Sequence, residues 1–292
     1  LKTPKMKYWF IDQHCLAHRV QKMCIVIEAS RSGYYRWKKQ PQSKRQKDNE
    51  KILMEIRQSH KNSHKAYGSP RITLDLKANG IKCGKHRVAR LMKKNGIAGK
   101  AKKKFKATTN SKHDLPVANN LLKQNFTAQK PNTVWVSGIT YIWTLEGWLY
   151  LAVILDLYSR QVVGWAMSDR LTSDFVITAL HQAIGRRNPG SYCIFHSDRG
   201  VQYASADFRI LLNSHDFIQS MSRKGNCYDN AVAESFFHTL KIEHVYEHRY
   251  KTRTDAQQSI FNYIEIFYNR RRRHSTLGYR SPVSFELESM VA

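Results

Sequence analysis

The chain has 292 residues, 41% of them hydrophobic, which is enough to bury a full core and to form more than one unit. Its 49 Lys and Arg residues against 22 Asp and Glu residues give a net charge of +27. No apolar run approaches the ~20 residues that cross a bilayer, and no signal peptide is recognisable, which argues against a membrane or secreted protein. Five cysteines without a C-x-x-C pair predict neither a disulfide framework nor a zinc ribbon and fit a reducing cytosol.

The positive charge is concentrated in the N-terminal third. Residues 1–113 contain 30 Lys and Arg residues and 6 Asp and Glu residues, whereas residues 114–292 contain 19 and 16. This asymmetry predicts that the N-terminal third binds a polyanion. Basic residues interleaved with helical apolar positions favour nucleic acid over a membrane surface, with a merely solvated face as the alternative.

Residues 1–45 are predicted to form a small helical module. Within it, residues 8–39 resemble a helical pair that is interrupted at Ser30-Arg31-Ser32-Gly33. A polar linker over 40–49 leads to a further helix near 49–60.

Residues 46–113 are predicted to form a helix-turn-helix-like DNA-binding domain with a basic arm. One helix starts at Gly68-Ser69-Pro70 and ends at Gly80, and a second runs from about Lys85 to Asn95. The second helix combines an apolar stripe with a basic outer side, a pattern typical of DNA contact although many helical hairpins share it. The outer residues that we expect to bind DNA are Lys85, Arg87, Arg90, Lys93 and Lys94. The arm carries Lys102, Lys103 and Lys104, which predict phosphate contacts or a disordered linker.

Residues 114–130 are predicted to be a linker, and residues 131–292 a catalytic core. Strands are expected at Val134–Thr144, Trp148–Asp156, Gln161–Met167, 192–196 and Phe217–Ser220. Helices are expected near 174–187, 204–214, 230–244 and 253–271. Three antiparallel strands followed by alternating helices and strands predict an α/β fold, a mixed five-stranded sheet flanked by helices.

Two carboxylates carry most of the functional information. Asp198 follows the apolar run that ends at Phe195, and Glu234 stands early in a helix, with 35 residues between the two. Such an arrangement places two hard oxygen ligands at one end of the sheet, where a divalent cation can bridge them. The alternative interpretations are an aspartate that shapes the turn at Arg199-Gly200 and a solvated surface glutamate.

The element order and a set of short motifs resemble the ribonuclease-H-like fold of retroviral integrases and DDE transposases. The resemblance is closest to the second-reading-frame (OrfB-type) transposases of bacterial insertion sequences, and it covers nearly the whole chain. The motifs that carry it are Arg31-Ser32-Gly33-Tyr34-Tyr35, Tyr67-Gly68-Ser69-Pro70-Arg71, Leu149-Tyr150-Leu151-Ala152-Val153, Asp156-Leu157-Tyr158-Ser159-Arg160, His196-Ser197-Asp198-Arg199-Gly200, Ser222-Arg223-Lys224-Gly225-Asn226, Ala233-Glu234-Ser235-Phe236-Phe237 and His274-Ser275-Thr276-Leu277-Gly278-Tyr279.

The resemblance implies a polynucleotidyl transferase that binds transposon ends and uses Mg²⁺ (or Mn²⁺) to cleave a phosphodiester and transfer the freed strand. It implies that Asp198 and Glu234 are catalytic metal ligands. Further DNA contacts are expected at Arg223, Lys224, Asn226, Arg271 and Arg272. It also implies a bacterial cytoplasmic protein that forms a homo-oligomer on terminal-repeat and target DNA. Because the chain begins at Leu1 without an upstream helix-turn-helix and zipper frame, we expect a frameshift product with such a protein as a further partner.

Gly138 departs from the pattern of this family, since the first aspartate of the catalytic set is expected there. Glycine offers no ligand, and two carboxylates do not easily fix two mutually repelling cations. We therefore predict a defective two-ion site with impaired cleavage and strand transfer, and we do not expect Asp156 on the next strand to substitute. A catalytically inactive, transposase-derived protein that occupies transposon ends is the main alternative. A ribonuclease H or resolvase-type nuclease is disfavoured by the basic N-terminal modules.

Overall fold

The structure, a computed structural model, describes residues 2–39, 43–100, 115–224 and 226–291. The chain falls into two compact units. One comprises residues 1–59 and 72–98, and the other comprises residues 60–71 and 99–292.

The N-terminal helices are short and pack around small apolar clusters. Their bounds are α1 Pro4–His14, α2 Val20–Val26, α3 Arg31–Lys39, α4 Lys44–Asn62, α5 Ser69–Ala78 and α6 Lys85–Lys94. In the first cluster, Ile11, Met23, Cys24 and Tyr34 are buried against one another. A small helical fold of this kind depends on such contacts, because isolated helices of this length are marginal in water.

The predicted interruption at residues 30–33 is in fact the start of α3. The hydroxyl of Ser30 accepts a hydrogen bond from the backbone N–H of Gly33 at 3.1 Å and satisfies one of the unpaired donors of the first turn. Gly33 itself is needed for packing, because a Cβ at this position would overlap the hydroxyl of Tyr8. The glycine that suggested a break therefore permits a close approach of side chain to helix.

Helix α6 has the two faces that its sequence predicted. Val88, Leu91 and Met92 are buried, and the outer side of the helix is basic. The helix ends where Asn95 and Gly96 follow, and Gly96 has a φ of +66°, the left-handed conformation common after helix ends.

Within the described residues, the second unit is built on a five-stranded mixed sheet, as predicted. Its strands are β1 Val134–Thr144, β2 Gly147–Asp156, β3 Val162–Ser168, β4 Ile194–Ser197 and β5 Ile218–Met221. The spatial order is β3-β2-β1-β4-β5. Strands β1, β2 and β3 pair antiparallel, and β4 pairs parallel to both β1 and β5. The carboxyl end of β4 therefore points to the same edge of the sheet as the continuation of β1.

Helices flank this sheet. They are α7 Asp174–Arg187, α8 Val201–Ala204, α9 Ala206–Ser214, α10 Ala231–Glu243, α11 Arg253–Phe261 and α12 Pro282–Val291. The main core packs Leu180 of α7 and Phe208 of α9 against Trp135 and Phe195 of the sheet, all of which are fully buried. The prediction of one helix over 253–271 is corrected, because α11 passes into a π-helical stretch at Asn262–Tyr268.

Side chains form hydrogen bonds with three backbone groups on the outer edge of β3. The amide of Asn269 accepts a hydrogen bond from Val162 N and donates one to Val162 O, both at 2.9 Å. Gln182 of α7 accepts from Trp165 N at 2.8 Å. These amides satisfy backbone groups that an edge strand otherwise presents to its surroundings.

Helix α12 was not predicted and is held by a charged pair. Two nitrogens of Arg187 donate to the two carboxylate oxygens of Glu286 at 2.7 and 2.8 Å, a bidentate arrangement. Arg187 also lies 3.5 Å from the fully buried Asp156. Asp156 stands opposite Trp135, three residues from the partner of Gly138, and its carboxylate accepts from the backbone of Asn132 and Tyr158.

Candidate functional site

The carboxyl edge of the sheet brings together the positions that the sequence selected. Val136 of β1 pairs with His196 of β4 in parallel register, so Gly138 and Asp198 both lie two residues beyond this pair. Helix α10 packs beside Gly138, and Glu234 stands in its first turn. Burial raises the pKa of Glu234, and the nearby negative charge of Asp198 raises it further. The two carboxylates therefore interact at this edge.

Position 138 is tightly enclosed by α10. A Cβ placed on Gly138 would lie 2.9 Å from Cε2 of Phe237, 3.3 Å from the Cβ of Ala233 and 3.5 Å from Nδ2 of Asn230. Gly138 has an ordinary strand conformation, so its backbone does not require glycine. The aromatic ring of Phe237 thus occupies space that a longer side chain at position 138 would need.

Asn230 connects the start of α10 to β1 at this point. Its Nδ2 donates to the carbonyl oxygen of Ser137 at 2.9 Å, and only 6% of the residue is exposed. The Oδ1 atom is buried and has no hydrogen-bond partner among the residues that the structure describes. Buried amide oxygens are usually satisfied, so this atom is a candidate ligand or acceptor beside position 138.

Asp198 also shapes the loop that follows β4. Its Oδ1 accepts a hydrogen bond from Gly200 N at 2.9 Å, which is the turn that the alternative interpretation of this residue expected. The turn role and the metal-ligand role are compatible, because a carboxylate has several lone-pair directions. The loop next to Asp198 is fixed by Arg199, whose Nε donates to Ser222 O at 2.6 Å.

Asp229, which the sequence did not single out, is the most highly bonded carboxylate near the site. It is fully buried and accepts hydrogen bonds from Arg223, Asn120 and Gln124. The side-chain hydrogen bonds from Arg223 hold the pKa of Asp229 well below its ordinary value of 3.8. The carboxylate is therefore ionised throughout the neutral range.

His196 is equally well fixed. It is fully buried, its Nε2 lies 2.9 Å from the carbonyl oxygen of Asp229, and its Nδ1 lies 2.8 Å from the hydroxyl of Ser220. Burial lowers the pKa of His196, so the ring is neutral. Because a carbonyl can only accept, Nε2 carries the proton and Nδ1 accepts from Ser220. His196 thus joins two segments instead of facing a substrate.

Family models and curated relatives identify the family to which this chain belongs. A model of an HTH-like domain matches residues 47–105, and two models of the integrase core domain match residues 128–227 and 215–282. The chain is 48% identical to the insertion element IS600 uncharacterized 31 kDa protein of Shigella sonnei, over 90% of this chain and 97% of that protein. It is 42% identical to the transposase InsF for insertion sequence IS3A of Escherichia coli K12, over 98% of this chain and 100% of that protein.

The chain belongs to the IS3-family InsF transposases. A solved structure of the HTLV-2 integrase catalytic core domain in complex with magnesium is a more distant likeness, with a TM-score of 0.43 and 16% identity over 55% of this chain and 99% of that chain. None of the helices in the described ranges has the length and apolar character that crossing a membrane requires.

The transposase exposes four of the five DNA-binding side chains that were predicted on α6. Lys85, Arg90, Lys93 and Lys94 are exposed. Arg87 is different, because its Nη2 lies 2.6 Å from Asp48 Oδ2 and its Nε donates to Asn49. Arg87 therefore ties α6 to α4 as well as adding charge. The predicted contacts Lys102, Lys103 and Lys104 lie outside the described residues.

The C-terminal arginines separate into different roles. Arg271 is exposed, whereas only 5% of Arg272 is exposed, and two of its nitrogens donate to Glu243 at 2.8 Å. Burial works to raise the pKa of Glu243, but the charge and hydrogen bonds of Arg272 outweigh this and lower it. Tyr263 adds a third hydrogen bond to Glu243 at 2.9 Å. The side chain of Arg272 is thus bound to Glu243, the last residue of α10. The sequence had suggested a phosphate contact for it.

The predicted contacts after β5 are also partly engaged. Arg223 makes an ion pair with Asp229 but keeps 57% of its side chain exposed. Lys224 is exposed. The Oδ1 atom of Asn226 accepts a hydrogen bond from Tyr228 N at 3.0 Å and so caps the turn that precedes α10.

Lys241 was missed by the sequence reasoning. It lies seven residues after Glu234, which is about two helical turns, so both side chains share one face of α10. Its ammonium group stands 5.0 Å from the centre of the Tyr141 ring, and burial lowers its pKa. The seven-residue spacing between Glu234 and Lys241 could have indicated from the sequence that the two side chains share one face of the helix.

Proposed function

We propose that this chain is a transposase subunit that binds the ends of its insertion sequence and holds a divalent-metal site for phosphodiester cleavage and strand transfer, impaired by Gly138. The observation that carries the proposal is the placement of Asp198 after β4 and of Glu234 in the first turn of α10, at one edge of the sheet beside position 138. Two like charges held together are relieved by a cation between them.

The donor set fits one divalent cation better than two. Asp198 and Glu234 supply hard oxygens, and the unsatisfied Oδ1 of Asn230 lies in the same region. Within the described ranges, no group of three His, Cys, Asp or Glu side chains is arranged to hold a metal ion. The residue at position 138 is glycine and contributes no side-chain oxygen. The chemistry that Mg²⁺ supplies at such a site is activation of the attacking oxygen and neutralisation of charge on the leaving one.

The residues of the chain would divide the work on DNA. The exposed basic side of α6, with Lys85, Arg90, Lys93 and Lys94, is proposed to bind the terminal repeats through phosphate contacts. Lys224 and Arg271 are proposed to contact DNA in the catalytic unit. We further propose action in the bacterial cytoplasm, assembly of several copies on DNA, and partnership with an upstream-frame protein. These proposals are supported by family membership and by the surface charge.

Restoring the missing carboxylate tests the catalytic part of the proposal. The Gly138→Asp variant should nick end-containing duplex DNA in Mg²⁺ at least tenfold faster than the unchanged chain. The matched control is the same variant with Glu234→Gln, which keeps the shape of the side chain and removes its charge. Equal rates for Gly138→Asp and the unchanged chain would refute the missing-ligand explanation.

The second candidate function is a transposase-derived protein that binds transposon ends without cutting them. The specific observation that favours it is the packing of Phe237 into the space next to Gly138. Gel-shift and nicking assays on the same DNA separate the two functions, because a pure binder shifts end DNA in Mg²⁺ and never nicks it. Slow nicking that disappears with Glu234→Gln would exclude this candidate.

A further inference from the structure

We infer that Asp229 is a positioning residue that fixes Asp198 and Glu234 relative to each other, and that Arg223 acts through Asp229 instead of through DNA. The inference rests on the proposed function, because it assigns a role toward the same pair of carboxylates. Neither residue is expected to touch the reacting phosphate.

The carboxylate of Asp229 accepts hydrogen bonds from three residues in two segments of the chain, residues 120–124 and Arg223. Its Oδ2 accepts from Arg223 N at 2.8 Å, Arg223 Nε at 3.0 Å and Asn120 Nδ2 at 2.8 Å. Its Oδ1 accepts from Arg223 Nη2 at 3.0 Å and Gln124 Nε2 at 3.1 Å. A fully buried carboxylate with five such donors is a rigid junction, because any displacement leaves a buried charge or donor unpaired.

One path runs from this junction to the strand that bears Asp198. The backbone carbonyl of Asp229 accepts from His196 Nε2 at 2.9 Å, and His196 lies on β4, two residues before Asp198, which directly follows the strand. The opposite ring nitrogen of His196 is bonded to Ser220 on β5. The buried imidazole therefore sets the distance between β4 and residue 229.

A second path reaches Asp198 through Ser222. The residues on both sides of Asp198 are bonded to Ser222: Ser197 O accepts from Ser222 N at 2.9 Å, and Arg199 Nε donates to Ser222 O at 2.6 Å. The next residue is Arg223, whose backbone and guanidinium are both held by Asp229. The two paths meet where the hydroxyl of Ser222 lies 3.5 Å from Nε2 of His196, so Asp229 and Ser222 together hold the residues on both sides of Asp198.

The connection to Glu234 is along the chain. Asp229 lies in a short 3₁₀ turn, Cys227–Asn230, that leads directly into α10 at Ala231. Glu234 is in the first turn of that helix. A shift of residue 229 would therefore carry the first turn of α10 and Glu234 with it. Outer partners that orient metal ligands in this way typically affect metal affinity or activity by roughly 10–100-fold.

Hydrogen exchange on the chain as it stands gives the first test. Asp229→Asn should raise amide exchange by about tenfold in residues 196–200 and 228–236, because it removes the charge that Arg223 binds. Asp156→Asn is the matched control, since Asp156 is an equally buried carboxylate bonded to two backbone amides and near an arginine. Unchanged exchange in both segments, or the same change with Asp156→Asn, would overturn the positioning role.

The metal requirement gives a readout that a merely structural role would not move. In the Gly138→Asp background, Asp229→Asn should raise the Mn²⁺ concentration for half-maximal nicking by roughly 10–100-fold, while Asp156→Asn leaves it unchanged. If Gly138→Asp does not nick DNA at all, the proposed function fails, and the exchange measurement still decides this inference. If it nicks and the metal requirement is the same with Asp229→Asn, the inference fails and the proposed function stands.

The role of Arg223 is tested by comparing the salt dependence of DNA binding in Arg223→Ala and Lys224→Ala. When a side chain that contacts one phosphate is removed, the slope of log binding constant against log salt concentration becomes shallower by about one unit. Lys224→Ala supplies that scale, because Lys224 is exposed and adjacent. Arg223→Ala should leave the slope unchanged and, combined with Asp229→Asn, should add nothing to the metal requirement. A slope lowered by about one with Arg223→Ala would show that Arg223 acts on DNA and would overturn this part.

Discussion

Replacing Gly138 by Asp should destabilise the chain without divalent cations and make its stability depend on them. The added Cβ would lie 2.9 Å from the ring of Phe237 and 3.3 Å from the Cβ of Ala233. Contacts this short require the ring to move, and overpacking of this kind costs about 1–3 kcal/mol. The new carboxylate would also join Asp198 and Glu234, whose charges already oppose each other.

The expected shift in melting temperature follows from this cost. For a domain of the size of the catalytic unit, each kcal/mol is worth about 2–4 °C. Gly138→Asp in EDTA should therefore melt roughly 2–12 °C below the unchanged chain. A cation present at about 100 times its dissociation constant adds about 2.7 kcal/mol to the folded state, so saturating Mg²⁺ should recover most of the loss.

Thermal unfolding followed by circular dichroism, in EDTA and in Mg²⁺, measures both effects. Gly138→Ala is the control for packing, since it adds the Cβ and no ligand, and Gly138→Asn controls for the charge. If Gly138→Asp has the same melting temperature as the unchanged chain in EDTA, the packing argument is wrong. If Mg²⁺ raises its melting temperature no more than it raises that of Gly138→Ala, the argument for the site is wrong.

Three further predictions concern separate parts of the chain. Arg272→Ala should lower the free energy of unfolding by about 3–5 kcal/mol, because it removes the positive charge that makes two of the hydrogen bonds to buried Glu243, and a loss under about 1 kcal/mol in denaturant titrations would contradict this. Burial lowers the pKa values of His244 and His274 to about 3 from 6.5, so the unfolded chain binds these protons first and stability should fall as pH falls from 6.5 toward 3. The two contribute up to about 2.7 kcal/mol per pH unit, and His274→Asn should remove about half of that slope. Lys93→Ala should reduce the salt dependence of end-DNA binding by about one unit of slope, and an unchanged slope would remove Lys93 from the DNA surface.

The parts of the fold that the sequence predicted well are those with a strong periodic pattern. The helix expected near 174–187 is α7, and Val176 and Leu180, which share one of its faces, are buried. Asp198 and Glu234 were expected at one end of the sheet, and the backbone places both there because β1 and β4 run parallel and α10 packs beside them; their role as metal ligands stays a prediction. Here local patterns and short connections determine the geometry.

The contacts that the sequence did not reveal join residues far apart in the chain. Arg272 stands in a run of four arginines, and nothing local distinguishes it from exposed Arg271, since its partner Glu243 is brought to it only by the fold. No local sequence pattern distinguishes Asp229 or His196 either. Their hydrogen bonds depend on the order of β1, β4 and β5, which no local periodicity specifies.

Glycine and short helical segments account for the remaining differences. Ser30 and Gly33 were expected to end a helix, and they start one, because serine caps a first turn and the glycine admits Tyr8. Helix boundaries of this kind are decided by a single hydrogen bond or a single close contact. The π-helical stretch after α11 has no signal that we identify in the sequence.

The amides of Asn269 and Gln182 have a consequence for how copies of this chain meet. They bind Val162 N, Val162 O and Trp165 N, so these three backbone groups are already occupied when a neighbouring molecule approaches this part of β3. The two side chains therefore disfavour the addition of a further strand beside Val162 and Trp165, which is a common route to fibres. If several copies assemble on DNA as we propose, we expect them to meet through surfaces other than this part of β3.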